Sequence, residues 1–403
     1  MLYRSRLPVD MLRASPCGFC SPRLASARKV GITAETLPLK GSTARSSRQR
    51  CPVTSNRSSA QQGTATAASR LGEKAQHYGV SLKPLHQDFG VLIEGLNLTK
   101  PLSTEHQQLL HELWREHLLL VFRAGYLDPG SQERVLRYFP HDADALNEGR
   151  FGNAYFQPRV PSNPVLAVRG HNVTLKEHEG VKEEALKKCQ LGGNPFDESR
   201  LWHMDMSDLP TPCEVSAMYM VHPAEDGGDD TIFASTEKLF EDLDEATKKQ
   251  ILPLRTVNRK ASEFQGFHMN WEGTRRLDEF EERLQQATEK GIVIEPPPNP
   301  FVIKDPDNAK PAILVSAQRV YHFEGMNRSD SVALLDKVLT HGTGDSDIYK
   351  HKWQPNDFAI WANRRLIHTA SPAKGFSHTK DKMRLYHLVF LDSKKPILPA
   401  HEA

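Results

Sequence analysis

Apolar positions from residue 80 onward come in short runs broken by polar, Gly- and Pro-marked intervals, and only some of those intervals have a helical period. Residues 89–98 and 118–122 are apolar enough for strands. Between them, residues 103–117 place apolar side chains at helical spacing behind a capping Ser103, with Glu105 in the first turn. A second helix is predicted over 129–138, with Asp128 as its cap. From 139 to 201 the pattern breaks into short strands, a loop and a Lys/Glu-rich stretch at 175–189, which reads as a solvent-facing helix. Strands are predicted at 214–222, 312–315, 358–361 and 384–391, and amphipathic helices at 236–250 and 277–290. Many short strands with helices between only some of them predict an α+β, mainly β fold. The expected architecture is a jelly-roll barrel with helical insertions, not a doubly wound sheet.

Charge changes the picture at one end. The first 70 residues hold twelve Lys or Arg against only Asp10 and Glu35, are rich in Ser, Thr and Ala, and have no apolar period. This segment reads as an organellar transit peptide, mitochondrial or plastid, ahead of a body at 80–396 and a short tail at 397–403. Over the whole chain 52 basic residues nearly balance 50 acidic ones, so no nucleic-acid footprint is expected, and no run is apolar enough to span a membrane. Five scattered cysteines argue against a disulfide framework, and the Cys17/Cys20 pair falls in the basic leader rather than after a strand.

Candidate chemistry centres on Trp202-His203-Met204-Asp205, at the head of an apolar stretch. On a strand, His203 and Asp205 point to the same side, and a distant His368, after Trp361-Ala362-Asn363-Arg364-Arg365, would complete a face of two imidazoles and one carboxylate. That set suits Fe(II) and leaves positions open for a chelating cosubstrate and O2. His86-x-Asp88 and His322-x-Glu324 have similar spacing but no matching context, and His222, His268, His341, His351 and His387 are expected to be ordinary surface or core histidines.

Several segments, in order, carry a resemblance. Residues 90–98, 119–123, 202–205, 227–231, 349–357, 361–368 and 384–387 are similar to those of the taurine and 2,4-dichlorophenoxyacetate dioxygenases, iron- and 2-oxoglutarate-dependent enzymes with a double-stranded β-helix core. The resemblance implies that His203, Asp205 and His368 are metal ligands. It also implies that Arg384, with Thr231, binds the far carboxylate of 2-oxoglutarate; Arg365 and Lys382 are rivals for Arg384, and a plain turn is the rival reading for Thr231. The activity implied is hydroxylation of a small organic molecule with decarboxylation of 2-oxoglutarate to succinate and CO2. Desaturation or oxidative cyclisation would use the same ligands, and a non-catalytic jelly-roll binding protein is the reading of a different class. Self-association is left open.

Two departures bear on substrate. Ala362 stands where the family has an acidic residue, and Leu388 stands where the taurine enzymes have a second arginine for the sulfonate. A small sulfonate is therefore disfavoured, and a larger or more apolar molecule is expected, with Phe151, Tyr155 and Phe156 as the upstream aromatics available.

Overall fold

The computed structural model describes residues 67–141, 158–187, 202–207, 211–224, 230–258, 298–304, 310–317, 319–370, 383–392 and 395–401. The expected helix at 277–290, the Cys17/Cys20 pair, Lys382 and the aromatics Phe151, Tyr155 and Phe156 lie outside these residues.

An eight-stranded sheet forms the larger layer. Its spatial order is Ser81–Pro84, Val91–Glu94, Leu119–Arg123, Asp357–Ala362, Val215–His222, Arg384–Leu391, Asn163–His171 and Arg159–Val160. All neighbours are antiparallel except Val91–Glu94 with Leu119–Arg123. A second, three-stranded sheet is ordered Ile348–His351, Thr231–Ser235, Leu366–Ala370. Two further three-stranded sheets and the hairpin Glu177–His178/Val181–Lys182 complete the strands among the described residues. The central strands of the large sheet are buried on both faces, so they read as continuous apolar runs and not as alternations.

The early helices form as their caps dictate. Ser103 accepts a hydrogen bond from the His106 N–H at the start of Thr104–His117, whose Leu109, Leu110, Leu113 and Trp114 are buried. Asp128 caps Pro129–Leu136 in the same way, with proline at the first turn. Two expectations are corrected. Residues 236–250 form two helices, Thr236–Asp242 and Glu245–Ile251, because the Asp244 side chain accepts from the Thr247 N–H and starts a new helix. The Lys/Glu stretch is a hairpin followed by one helical turn, Glu183–Leu186; Glu179 and Gly180 both take positive φ, at 46° and 83°, and turn the chain back. Two elements lie at the ends of the body. The helix Ala67–His77 starts inside the basic leader, and Leu398–Pro399 pairs with Ile303 and Lys304. Among the described residues no helix is long and apolar enough to cross a membrane.

Candidate metal centre

His203 and His368 occupy two sides of one β rung. The His203 N–H donates to the His368 carbonyl at 3.0 Å, and the His368 N–H donates to the His203 carbonyl at 2.9 Å. Residues that exchange both backbone bonds across an antiparallel pair send their side chains to the same face, and the two rings stand 4.2 Å apart, centre to centre. The opposite edge of this short stretch is held by Met204 N–H to the Val315 carbonyl (3.0 Å) and Ala317 N–H to the Trp202 carbonyl (2.9 Å).

Asp205 faces both rings. Its Oδ1 is 4.0 Å from His203 Nε2, and its Oδ2 is 3.7 Å from His368 Nε2. One ligand atom from each residue lies within 4.8 Å of the other two, close enough for one metal ion to be shared. Around Asp205 the polar groups are satisfied. Asn363, fully buried, accepts from the Asp205 N–H at 2.9 Å and donates to the Asp205 and Cys213 carbonyls at 2.8 and 3.0 Å. Ser216 Oγ donates to Asp205 Oδ2 at 2.8 Å.

Electrostatics suit a metal. Burial first, and then the neighbouring His203, pushes His368 down to about 3 against the opposing pull of Asp205, so its imidazole is neutral and has a lone pair to give. Its Nδ1 is buried with no hydrogen-bond partner, and Trp361 and Phe233 pack their rings 5.2 and 6.0 Å from it. Two imidazoles and a carboxylate on one side of a centre are a donor set fitting a divalent iron with open positions opposite.

Thr231 opens a strand rather than sitting in a turn, and it is buried. It lies two residues before Phe233, which pairs directly with His368, so Thr231 shares the imidazole's face of that sheet. Trp353 Nε1 donates to its Oγ1 at 3.0 Å. Arg384 is buried at the start of its strand, its guanidinium carbon 4.7 Å from the centre of the Tyr386 ring. Arg365 is engaged elsewhere, donating to Glu237 at 2.5 Å and to the Arg115 carbonyl at 2.9 Å.

Several other histidines are held by other groups, and His268 lies outside the described residues. His86 Nε2 contacts the Ser346 carbonyl, and His322 Nδ1 the Phe323 carbonyl. His351 bridges Tyr349 and the buried Asp357, which also receives Arg123. His387 turns away from Arg384, onto the face that meets the helix Pro129–Leu136, where its Nδ1 is 2.8 Å from Gln132 Oε1 and its Nε2 is 2.8 Å from His178 Nε2. Sequence reasoning missed Ser216 and Trp353 altogether. The one available signal for Ser216 is a single serine in the otherwise apolar and aromatic run 215–221.

Comparison with known proteins identifies the family. The taurine catabolism dioxygenase TauD, TfdA family matches residues 81–388. The (S)-phenoxypropionate/alpha-ketoglutarate-dioxygenase of Delftia acidovorans is 21% identical over 308 residues, covering 73% of this chain and 90% of its own. An alkylsulfatase of Acinetobacter baylyi is 25% identical over 306 residues, covering 74% and 82%. Among solved structures, AAD-2 in complex with Mn(II) and N-oxalylglycine superposes with a TM-score of 0.55 at 19% identity, over 79% of this chain and 99% of that one. A taurine dioxygenase from Burkholderia xenovorans gives 0.58 at 19% identity, over 80% and 93%. The chain belongs to the TauD, TfdA family, and is an oxidoreductase that works with Fe(II), 2-oxoglutarate and O2.

Proposed function

We propose that the protein hydroxylates an unactivated C–H bond of a small organic molecule, with His203, Asp205 and His368 as the facial ligands of one ferrous ion. The convergence of those three donors carries the reading. Bound together, ferrous ion, 2-oxoglutarate and O2 supply the oxidation, in which the keto acid becomes succinate and CO2. The chain's own residues position and shield. Ser216 holds one carboxylate oxygen of Asp205, Asn363 fixes the backbone beneath it, and Trp361 and Phe233 keep water from His368.

Arg384 and Thr231 receive the far carboxylate of 2-oxoglutarate. A guanidinium offers that group a planar two-donor fork. The Trp353 N–H occupies one lone pair of the Thr231 hydroxyl, which leaves the hydroxyl proton to be donated. On this reading the eight-stranded sheet and the sheet of Ile348–His351, Thr231–Ser235 and Leu366–Ala370 are the two layers of a double-stranded β-helix. We also assign the catalytic domain to 80–396 and an organellar address to the basic residues 1–70, testable by fusing that leader to a fluorescent reporter.

Anaerobic titration of the purified protein with Fe(II) and 2-oxoglutarate tests the centre. The expected result is the weak visible charge-transfer band of the chelate. Wild-type protein that gives neither this band nor succinate in air would sink the assignment.

A further inference from the structure

We infer that Arg169 is the specificity-determining residue of the site and that the substrate is an organic anion with an apolar body. The inference rests on the iron and 2-oxoglutarate reading above. Its starting point is strand register. Ser216 faces Asp205 and pairs with Phe390, so Phe390, Leu388 and Tyr386, at alternate positions, share the face that looks toward the metal centre. Tyr386 pairs in turn with Arg169 on the next strand, and Leu388 with Ala167. Directly opposed residues share a face, so Arg169 stands on the metal side of the sheet.

Charge gives the second observation. The Nε of Arg169 is buried with no hydrogen-bond partner, and among the described residues no carboxylate pairs with the side chain. A guanidinium drawn partly out of water without a counter-charge is costly, and a bound anion removes that cost. The far carboxylate of 2-oxoglutarate carries a single charge and meets Arg384 and Thr231. A second cation on the same face therefore calls for a second anion, which only the substrate brings.

Position sets the shape of that substrate. The Tyr386–Arg169 rung lies four residues, about 13 Å, along the strand from the rung that holds Ser216. Met218, Leu388 and Ala167 line the interval. An anionic head at Arg169 would thus lay an apolar body along this strip, toward the metal.

The test uses the full chain loaded anaerobically with Fe(II) and 2-oxoglutarate, with hexanoate, hexyl sulfate and hexan-1-ol as probes. Affinities are read from perturbation of the chelate band and by calorimetry. The two anions should bind about tenfold or more tighter than the alcohol. R169Q should erase that preference while keeping the band and the 2-oxoglutarate affinity. L388E, which keeps Arg169 but sets a carboxylate on the same face of the adjacent strand, should erase it too, and urea midpoints check both folds. A wild type with no preference for anions overturns the inference, as does a preference that survives in folded R169Q. Loss of 2-oxoglutarate affinity in R169Q assigns the arginine to the cosubstrate and overturns it equally. Absence of the chelate band in wild type instead brings down the iron reading, and this inference with it.

Discussion

Asn363 grips Asp205 from both sides of its backbone, accepting from its N–H at 2.9 Å and donating to its carbonyl at 2.8 Å. The same amide nitrogen reaches the Cys213 carbonyl, so one buried side chain joins the segments around Asp205 and Cys213. Asn363→Ala should cost about 1–3 kcal/mol for each buried group it leaves unpaired. Loss of such an outer support should also weaken Fe(II) binding by about 10- to 100-fold. Urea unfolding and metal titration measure the two effects separately, and an unchanged midpoint would show that the grip is not structural.

Ser216 orients the carboxylate itself. Ser216→Ala should retain the chelate band but need about tenfold more Fe(II) to develop it. Asp205→Ala should lose both the band and succinate formation. Equal defects in the two variants would mean that Ser216 does more than orient.

Arg384→Ala should chiefly raise the 2-oxoglutarate requirement, by about 2–5 kcal/mol of lost charge-pair binding. Trp353→Phe, which removes the N–H that Thr231 accepts, should raise it by the smaller worth of one neutral hydrogen bond, about 0.5–1.5 kcal/mol. In a Thr231→Val background the Trp353 change should have no further effect, because the bond it removes is already gone. Additive effects would show that Trp353 acts by another route.

The His387–His178 pair gives the fold an acid limit. Gln132 donates its amide N–H to the Leu127 carbonyl at 2.7 Å, which turns its oxygen toward His387. His387 Nδ1 therefore carries the proton, and its Nε2 accepts from His178 across 2.8 Å. Protonating His387 would set two N–H donors against each other. Burial first, and then His178, pushes His387 down to about 3, and His178 is lowered as well, mainly by burial. A base whose folded pKa lies below its unfolded value stabilises the fold above the unfolded pKa, near 6.5, and that stability is lost as pH falls toward 3. His387 contributes about 1.4 kcal/mol per pH unit inside this window. His387→Gln should flatten the fall in urea midpoint between pH 6 and pH 4; an equally steep profile would place the acid sensitivity elsewhere.

Much of the centre was legible in the chain. His203-x-Asp205 needs only the two-residue alternation of an extended segment, and the caps Ser103 and Asp128 are local signals that the structure repeats. What was not legible depends on pairing between strands. Trp353 and Arg169 reveal their surroundings only once their rungs are known, and no local period encodes a partner more than a hundred residues away. Ser216 is only 11 residues from Asp205, but the two lie on separate segments that no shared period links. The break at Asp244 was visible as a cap residue, but the amphipathic period running through it concealed the break.

Because the two imidazoles are tied through a shared backbone rung, their spacing is a property of the β ladder and not of whatever ion sits between them. Metal-free protein should keep both rings aimed at the same point, so that uptake of iron reorganises little and can follow folding. Stripping the ion with a chelator then empties a socket that remains ready to refill.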